Sequence, residues 1–152
     1  MKKIVATLLP SLLVGGLACA KKEPPPTPAP VTEPATTLPA PVSVSAVTLG
    51  KAVGADKKVN APADVFGAKD TIYASVETAG TGHAKLRALW SFVKGERTAK
   101  VDETTIEFDS SAPETNEFHI SKPGGWPKGD YRVEIFLGDA AAPAMTKTFK
   151  VG

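Results

Sequence analysis

The sequence has only one cysteine and two histidines, which limits the chemistry it can support. A single cysteine can form neither an intrachain disulfide nor a multi-cysteine metal site. The histidines, His83 and His119, are far apart in the sequence, and neither has a cluster of carboxylates or thiols beside it. We therefore expect no metal ion and no other cofactor, and we interpret both histidines as solvated side chains.

Catalytic and phosphate-binding motifs are also missing. The sequence contains no G-x-S-x-G, H-E-x-x-H or G-x-G-x-x-G pattern and no P-loop, and no motif links a serine to a histidine. Adjacent carboxylates such as Asp102 and Glu103 lie in a polar segment and indicate solvated charge. We predict that the protein is not an enzyme.

The small excess of positive charge lies at the start of the chain. The formal net charge is +2, and without Lys2 and Lys3 sixteen basic side chains face sixteen acidic ones. No domain-wide positive field remains to attract phosphate backbones, so we expect no nucleic-acid partner.

Residues 1–19 have the three zones of a secretory signal. Two lysines form a positive region, an uncharged and mostly apolar run extends from Ile4 to Leu17, and small residues lead to Cys19. A proline and two glycines interrupt the run, which is too short for a good membrane-spanning helix. We predict that residues 1–18 are a signal peptide.

The segment Gly15-Gly16-Leu17-Ala18-Cys19 resembles the lipobox of bacterial lipoproteins. In that family a diacylglycerol is attached to the cysteine thiol, signal peptidase II cuts just before it, and the freed amine is commonly acylated. The resemblance implies cleavage between Ala18 and Cys19 and lipidation of Cys19, although Gly16 stands where leucine is commonest. The alternative is a chance cysteine in a signal that is cleaved elsewhere, for instance after Ala20.

The resemblance also bears on location. Gram-negative lipoproteins that stay in the inner membrane often have an aspartate directly after the cysteine, whereas this chain has Ala20. It therefore implies a lipid anchor in the outer membrane, facing the periplasm; a Gram-positive source would place the protein on the cell exterior. Two or three acyl chains would hold it firmly, because each buried methylene contributes about 0.8 kcal/mol.

Residues 19–42 contain a proline-rich linker. Eight of the fourteen prolines fall between Pro24 and Pro41. Proline fixes φ and donates no hydrogen bond, so we expect a solvated, largely polyproline-II tether. At about 3.1 Å per residue it could extend on the order of 60 Å. We favour a spacer, and the alternative is a ligand for a proline-binding partner.

Residues 43–152 show short alternating segments separated by turn residues. This pattern predicts an all-β fold, a single antiparallel β-sandwich of about seven strands. The residues predicted to face inward are Val42, Val44 and Ala46; Ile72, Ala74 and Val76; Leu86, Ala88, Trp90 and Phe92; Val101, Ile106 and Phe108; Phe118 and Ile120; Tyr131, Val133, Ile135 and Leu137; and Phe149 and Val151.

Two features of this region resemble immunoglobulin-like (Ig-like) domains. Trp90, central in the third strand, resembles their core tryptophan. Gly129-Asp130-Tyr131 resembles the glycine-then-tyrosine start of the sixth strand in many bacterial Ig-like and fibronectin-like domains, where the tyrosine forms a corner. The paired cysteines of antibody domains are absent, so the resemblance implies only the broad Ig-like class.

The loop from Lys122 to Gly129 is the unusual one, because two prolines stiffen it and two glycines precede its tryptophan. An exposed Trp126, with Lys128 beside it, could anchor a partner. The alternative, which we favour, is that Trp126 folds back and caps the open end of the sandwich.

Together these features predict a membrane-anchored envelope lipoprotein whose non-catalytic Ig-like domain binds another envelope protein. One alternative is a carbohydrate- or peptidoglycan-binding module that stacks sugars on Trp126 and Tyr73. A variant of the first hypothesis is an inhibitor of an external hydrolase, acting through the stiff loop.

Overall fold

The computed structural model describes residues 40–152, which form eight β-strands in two sheets. The strands are β1 (Ser43–Gly50), β2 (Val65–Phe66), β3 (Ile72–Ala79), β4 (Gly82–Lys94), β5 (Arg97–Ser110), β6 (Glu114–Ile120), β7 (Gly129–Leu137) and β8 (Met145–Val151). One sheet has the order β1-β3-β6 and the other the order β2-β8-β7-β4-β5. Neighbouring strands are antiparallel except β2, which runs parallel to β8.

The predicted anchor region lies outside the described residues. This applies to the signal peptide (residues 1–18), to the cleavage site between Ala18 and Cys19, and to the linker (residues 19–42) apart from its last three residues. Within residues 40–152, no helix is long and apolar enough to cross a membrane.

The core lies between the two sheets and is filled by the inward-facing residues of the regular strands. The predicted alternation is confirmed for β3, β4, β6 and β7, whose fully buried side chains include Ile72, Leu86, Trp90, Val133 and Ile135. Trp90 is 1% exposed, and its ring packs edge-on against Phe149. Its indole Nε1 is buried and has no hydrogen-bond partner among the described residues.

The predicted alternation in the first strand is wrong beyond Val44. A β-bulge between Val44 and Ala46 leaves Ser45 without a Cα partner on β3. The extra residue reverses which side chains face the core, so that Val47 and Leu49 are buried and Ala46 is only partly so. The hydroxyl of Ser45 donates to the Glu77 carbonyl oxygen at 3.0 Å across the bulge.

The predicted inward position of Val101 in β5 is wrong because the strand pairing contains a second bulge. Trp90 pairs with Asp102 and Ser91 pairs with Lys100, which leaves Val101 unpartnered. Its side chain is 36% exposed, whereas Ile106 and Phe108 farther along the strand pack against the core as predicted.

The additional strand, β2, raises the count from about seven to eight. Its pairing continues on either side of the two residues: the Lys150 N–H donates to the Asp64 carbonyl at 2.8 Å, and the Gly152 N–H donates to the Phe66 carbonyl at 3.0 Å. Two residues are too few to show a period of two, so alternation could not have revealed this strand.

The start of β7 has the geometry that its sequence implied. The Tyr131 hydroxyl donates to the carbonyl oxygen of Pro127, four residues upstream, at 2.8 Å. Gly129 has φ +148°, and a Cβ atom there would lie 2.7 Å from the Phe92 ring, so glycine is required. The hydrogen bond from Tyr131 to Pro127 is the tyrosine corner, and the buried Trp90 lies on β4, the strand that pairs with β7 in the same sheet. The domain is an Ig-like β-sandwich.

Candidate functional site

The ring of Trp126 is packed inside the domain. Its side chain is 5% exposed and belongs to the same buried cluster as Trp90 and Phe149. The ring meets Tyr131 edge-on, with centroids 6.0 Å apart. The hypothesis of an exposed Trp126 anchor is therefore wrong, and the favoured alternative, a tryptophan that folds back over the end of the sandwich, agrees with the structure.

Backbone hydrogen bonds hold Trp126 in this position. Its amide donates to the Ala68 carbonyl at 2.7 Å, and its indole Nε1 donates to the Asp70 carbonyl at 2.9 Å. A buried indole N–H needs such an acceptor, which the turn before β3 supplies. The loop and this turn therefore form one unit.

The carboxylate of Asp70 fixes that turn. It accepts a hydrogen bond from the Gly67 amide at 2.8 Å and lies 2.7 Å from Lys51 Nζ. The hydrogen bond from Lys51, followed by that from Gly67, lowers the pKa of the Asp70 carboxyl below its ordinary value. No motif in the sequence pointed to the hydrogen bond between the Trp126 indole and the Asp70 carbonyl, because the two residues are 56 positions apart.

Lys128, the second candidate in the loop, is exposed. With the Trp126 ring buried, Lys128 offers a partner a mobile charge without an aromatic surface beside it. The two residues that the sequence grouped as one binding site therefore do not act on the same surface.

Each histidine forms a pair with one carboxylate near the surface. His83 Nδ1 lies 3.0 Å from Asp109, and His119 Nδ1 lies 2.8 Å from Glu117. The His119 ring also packs against the half-buried Tyr73, with centroids 5.3 Å apart. Across the described part of the chain, no group of three or more His, Cys, Asp or Glu side chains is placed to hold a metal ion.

The outer face of the five-stranded sheet is largely covered by its own side chains. The Arg87 guanidinium lies 4.2 Å above the Phe136 ring, and Phe136 is buried beneath it. Glu103 pairs with Lys100 at 2.7 Å and lies 3.7 Å from Arg87. Hydrogen bonding from Lys100 is the main reason that the pKa of Glu103 is lowered. These contacts leave little apolar surface for a partner.

One end of this sheet face is open, in a groove of about 600 Å³ beside β2 and β8. Val65 forms one wall and is 62% exposed, and Val93 forms the other. Between them lie Thr148 and the pair of Lys150 and Asp130, whose charged atoms are 3.6 Å apart. The groove combines apolar walls with a few polar groups, as binding sites commonly do.

Sequence reasoning missed this groove because it depends on β2. Val65 becomes a wall only when Val65 and Phe66 pair in parallel with the end of β8. The only sequence signal was an isolated Val-Phe pair between polar residues, which does not distinguish a strand from a loop.

Comparisons with known proteins bear on the fold. No protein-family model and no curated protein sequence matches the chain. A β-glucosidase from Erythrobacter marinus is similar in structure over 75% of this chain and 16% of that enzyme, with 9% identity and a TM-score of 0.50. An Ig-like protein from Pseudomonas aeruginosa is similar over 74% of this chain and 98% of that protein, with 16% identity and a TM-score of 0.49. At 9% identity and over 16% of the enzyme, the likeness to the β-glucosidase shows a shared fold alone.

Proposed function

We propose that the protein is a lipid-anchored lipoprotein of the bacterial envelope, most simply on the periplasmic face of the outer membrane. The lipobox-like segment supports the anchor, because the one cysteine of the sequence stands where lipidation requires a thiol. The proline-rich linker would then join the lipid to the Ig-like domain as a spacer.

We further propose that the domain is a non-catalytic module that binds another envelope protein in the groove between Val65 and Val93. The observation that carries this proposal is the exposure of Val65, which is 62% despite its place in a strand. A large apolar side chain at the rim of a groove loses solvent contact when a partner binds, and this loss favours association.

A sugar-binding role has less support. Protein sites for sugars commonly use an exposed aromatic face, and Trp126 is buried while Tyr73 packs against His119. Among residues 40–152, every aromatic side chain is buried or half-buried. Loop-based inhibition of a hydrolase is weakened for the same reason, because the Trp126 loop is fastened to the turn beneath it.

Membrane fractionation tests the anchor. We expect the wild-type chain in the membrane fraction of its source cells and a Cys19→Ser variant in the soluble fraction or as uncleaved precursor. A Lys128→Ala variant is the control and should fractionate like the wild type. If the Cys19→Ser chain were cleaved normally and still sedimented with membranes, the anchor proposal would be wrong.

Site-specific photo-crosslinking in intact cells tests the groove. A photoreactive residue at Val65 should give a discrete protein adduct, and the same residue at Val101 should not. Val101 is the matched control because it is also an exposed valine but lies on β5, at the opposite edge of the sheet. Identical adducts from both positions would contradict the proposed site.

A further inference from the structure

The two ends of the sandwich carry opposite charge. One end, which we name the tether end, is where the described chain begins. There the Thr81 amide, in the β3–β4 turn, donates to the Ala40 carbonyl at 3.0 Å. The carboxylates at this end are Glu77, Glu107, Asp109, Glu114 and Asp139. Its two lysines are both paired, Lys58 with Glu77 at 3.1 Å and Lys85 with Asp139 at 2.7 Å.

The opposite end, which we name the free end, is rich in cations. It comprises Lys51 and the loops 67–71, 94–97 and 121–128, which together hold two carboxylates, Asp70 and Glu96. A third carboxylate, Asp130, borders these loops and is paired with Lys150 at 3.6 Å. Its exposed cationic residues are Lys51, Lys69, Lys94, Arg97, Lys122 and Lys128. Asp70 is already paired with Lys51. Within residues 40–152, none of the other five cations has an ion-pair partner.

These cations lie close together rather than scattered over the surface. Lys94 is the direct cross-strand partner of Arg97, and the neighbouring pairing of Val93 with Asp130 brings Lys94 next to the segment that contains Lys128. Lys69 Nζ donates to the Pro123 carbonyl at 3.1 Å, beside Lys122. Like charges directly opposite one another on paired strands are destabilising, so this arrangement costs the isolated domain stability.

We propose that the free end is a docking surface for an acidic segment of another protein. It adjoins the Val65 groove, because the groove residue Val93 directly precedes Lys94. Neutralising several neighbouring cations would relieve their repulsion on binding, and the attraction would speed the encounter. The start of the described chain lies at the opposite, acidic end of the domain.

Other anionic partners fit the free end less well. No exposed aromatic ring is available in the described residues for stacking on a cell-wall sugar. Within residues 40–152, the exposed large hydrophobic residues are Val65 and Val101. Neither lies in the loops of the free end, so these loops lack an apolar group for insertion into a bilayer.

The test measures binding of the full mature chain, in nonionic detergent, to a synthetic polyglutamate peptide. We expect binding that is lost at about 0.5 M NaCl, since salt screens exposed charges. A Lys94→Glu/Lys128→Glu variant should bind roughly tenfold more weakly or worse, as charge reversal at an electrostatic interface does. A Lys57→Glu/Lys100→Glu variant changes the net charge equally on other surfaces and should bind within about twofold of wild type.

Purified peptidoglycan and vesicles of phosphatidylglycerol serve as the competing ligands. Preference for either one over polyglutamate, equal losses in the two double variants, or no binding of polyglutamate would each overturn the proposal. Thermal melting of both variants checks that they fold. A Cys19→Ser chain should bind polyglutamate as the wild type does, so failure of the anchor and failure of the docking surface are distinguishable.

Discussion

At the scale of single residues, Tyr131 shows how one hydroxyl group fixes the chain at the start of a strand. Its ring stacks on Phe149 with centroids 5.3 Å apart, and its hydroxyl reaches back to the Pro127 carbonyl. The ring is buried in the core while the hydroxyl satisfies a backbone acceptor in the loop before it. The loop that carries Trp126 is thereby fastened to β7 near its C-terminal end.

Replacing Tyr131 with phenylalanine should lower the free energy of unfolding by about 1 kcal/mol, because the buried Pro127 contact loses its donor while the ring stays. Urea denaturation measures this change. Tyr73→Phe is the matched control: its hydroxyl donates no hydrogen bond within the described residues, and we expect a change below about 0.5 kcal/mol. Equal losses of unfolding free energy in the two variants would argue against a stabilising hydrogen bond between the Tyr131 hydroxyl and Pro127.

Because Tyr131 is buried, the stability of the domain should depend on pH in the alkaline range. It raises the pKa of the Tyr131 phenol above its ordinary value, so the folded chain holds a proton that the unfolded chain releases. The stabilisation is complete below the tyrosine pKa of the unfolded chain, about 10, and is lost as pH rises through the folded value. Above pH ~10, the melting temperature should therefore fall more steeply with rising pH for wild type than for Tyr131→Phe.

Asp70 gives the opposite dependence at acid pH. Lys51 and the Gly67 amide lower the pKa of its carboxyl, so its contribution is present above the pKa of an unfolded aspartate and disappears as pH falls through the folded value. An Asp70→Asn variant should melt below wild type at neutral pH, and the two melting temperatures should converge near pH ~3. A constant gap across this range would show that charge is not what Asp70 contributes.

At the scale of elements, the Trp126 loop is a structural cap. Trp126→Ala should destabilise the domain by about 3–5 kcal/mol, the usual cost of emptying a buried tryptophan site, and Lys128→Ala should cost less than about 0.5 kcal/mol. Chemical denaturation measures both changes. Equal, small effects would mean that the loop is not fastened to the domain.

Fluorescence reports the same cap directly. In a Trp90→Phe variant, Trp126 is the one remaining tryptophan, and acrylamide should quench it weakly because 5% of its side chain is exposed. The replacement is suited to the site because the Trp90 indole N–H has no acceptor among the described residues. Strong quenching, as for free tryptophan, would contradict the packed position.

The same scale shows what alternation can and cannot predict. Three inward residues each in β3 and β7 followed the period of two, because these strands are paired on both sides and neither contains an inserted residue. The bulges near Ser45 and Val101 broke the pattern, since one inserted residue reverses the faces and leaves no mark in composition. The core was therefore predictable, whereas the groove at Val65 and the contact of Trp126 with Asp70 depend on tertiary pairing.

At the scale of the whole molecule, residues 40–152 form an Ig-like sandwich with charge of opposite sign at its two ends. We propose that a proline-rich spacer joins this domain to a lipid anchor. The Ala40 contact fixes where the spacer meets the domain, and the acidic residues surround that point. The Val65 groove and the cationic loops adjoin each other at the end of the domain opposite Ala40. Each surface has its own test, so either can fail alone.

Intact-mass spectrometry of the mature protein, purified from its source envelope, tests the proposed anchor at Cys19. We predict a chain that starts at Cys19 and carries a diacylglyceryl group on sulfur, with or without a further acyl chain on the amine. A chain with an unmodified thiol, or one that starts at Ala20 or elsewhere, would contradict the account and leave a secreted Ig-like domain without an anchor.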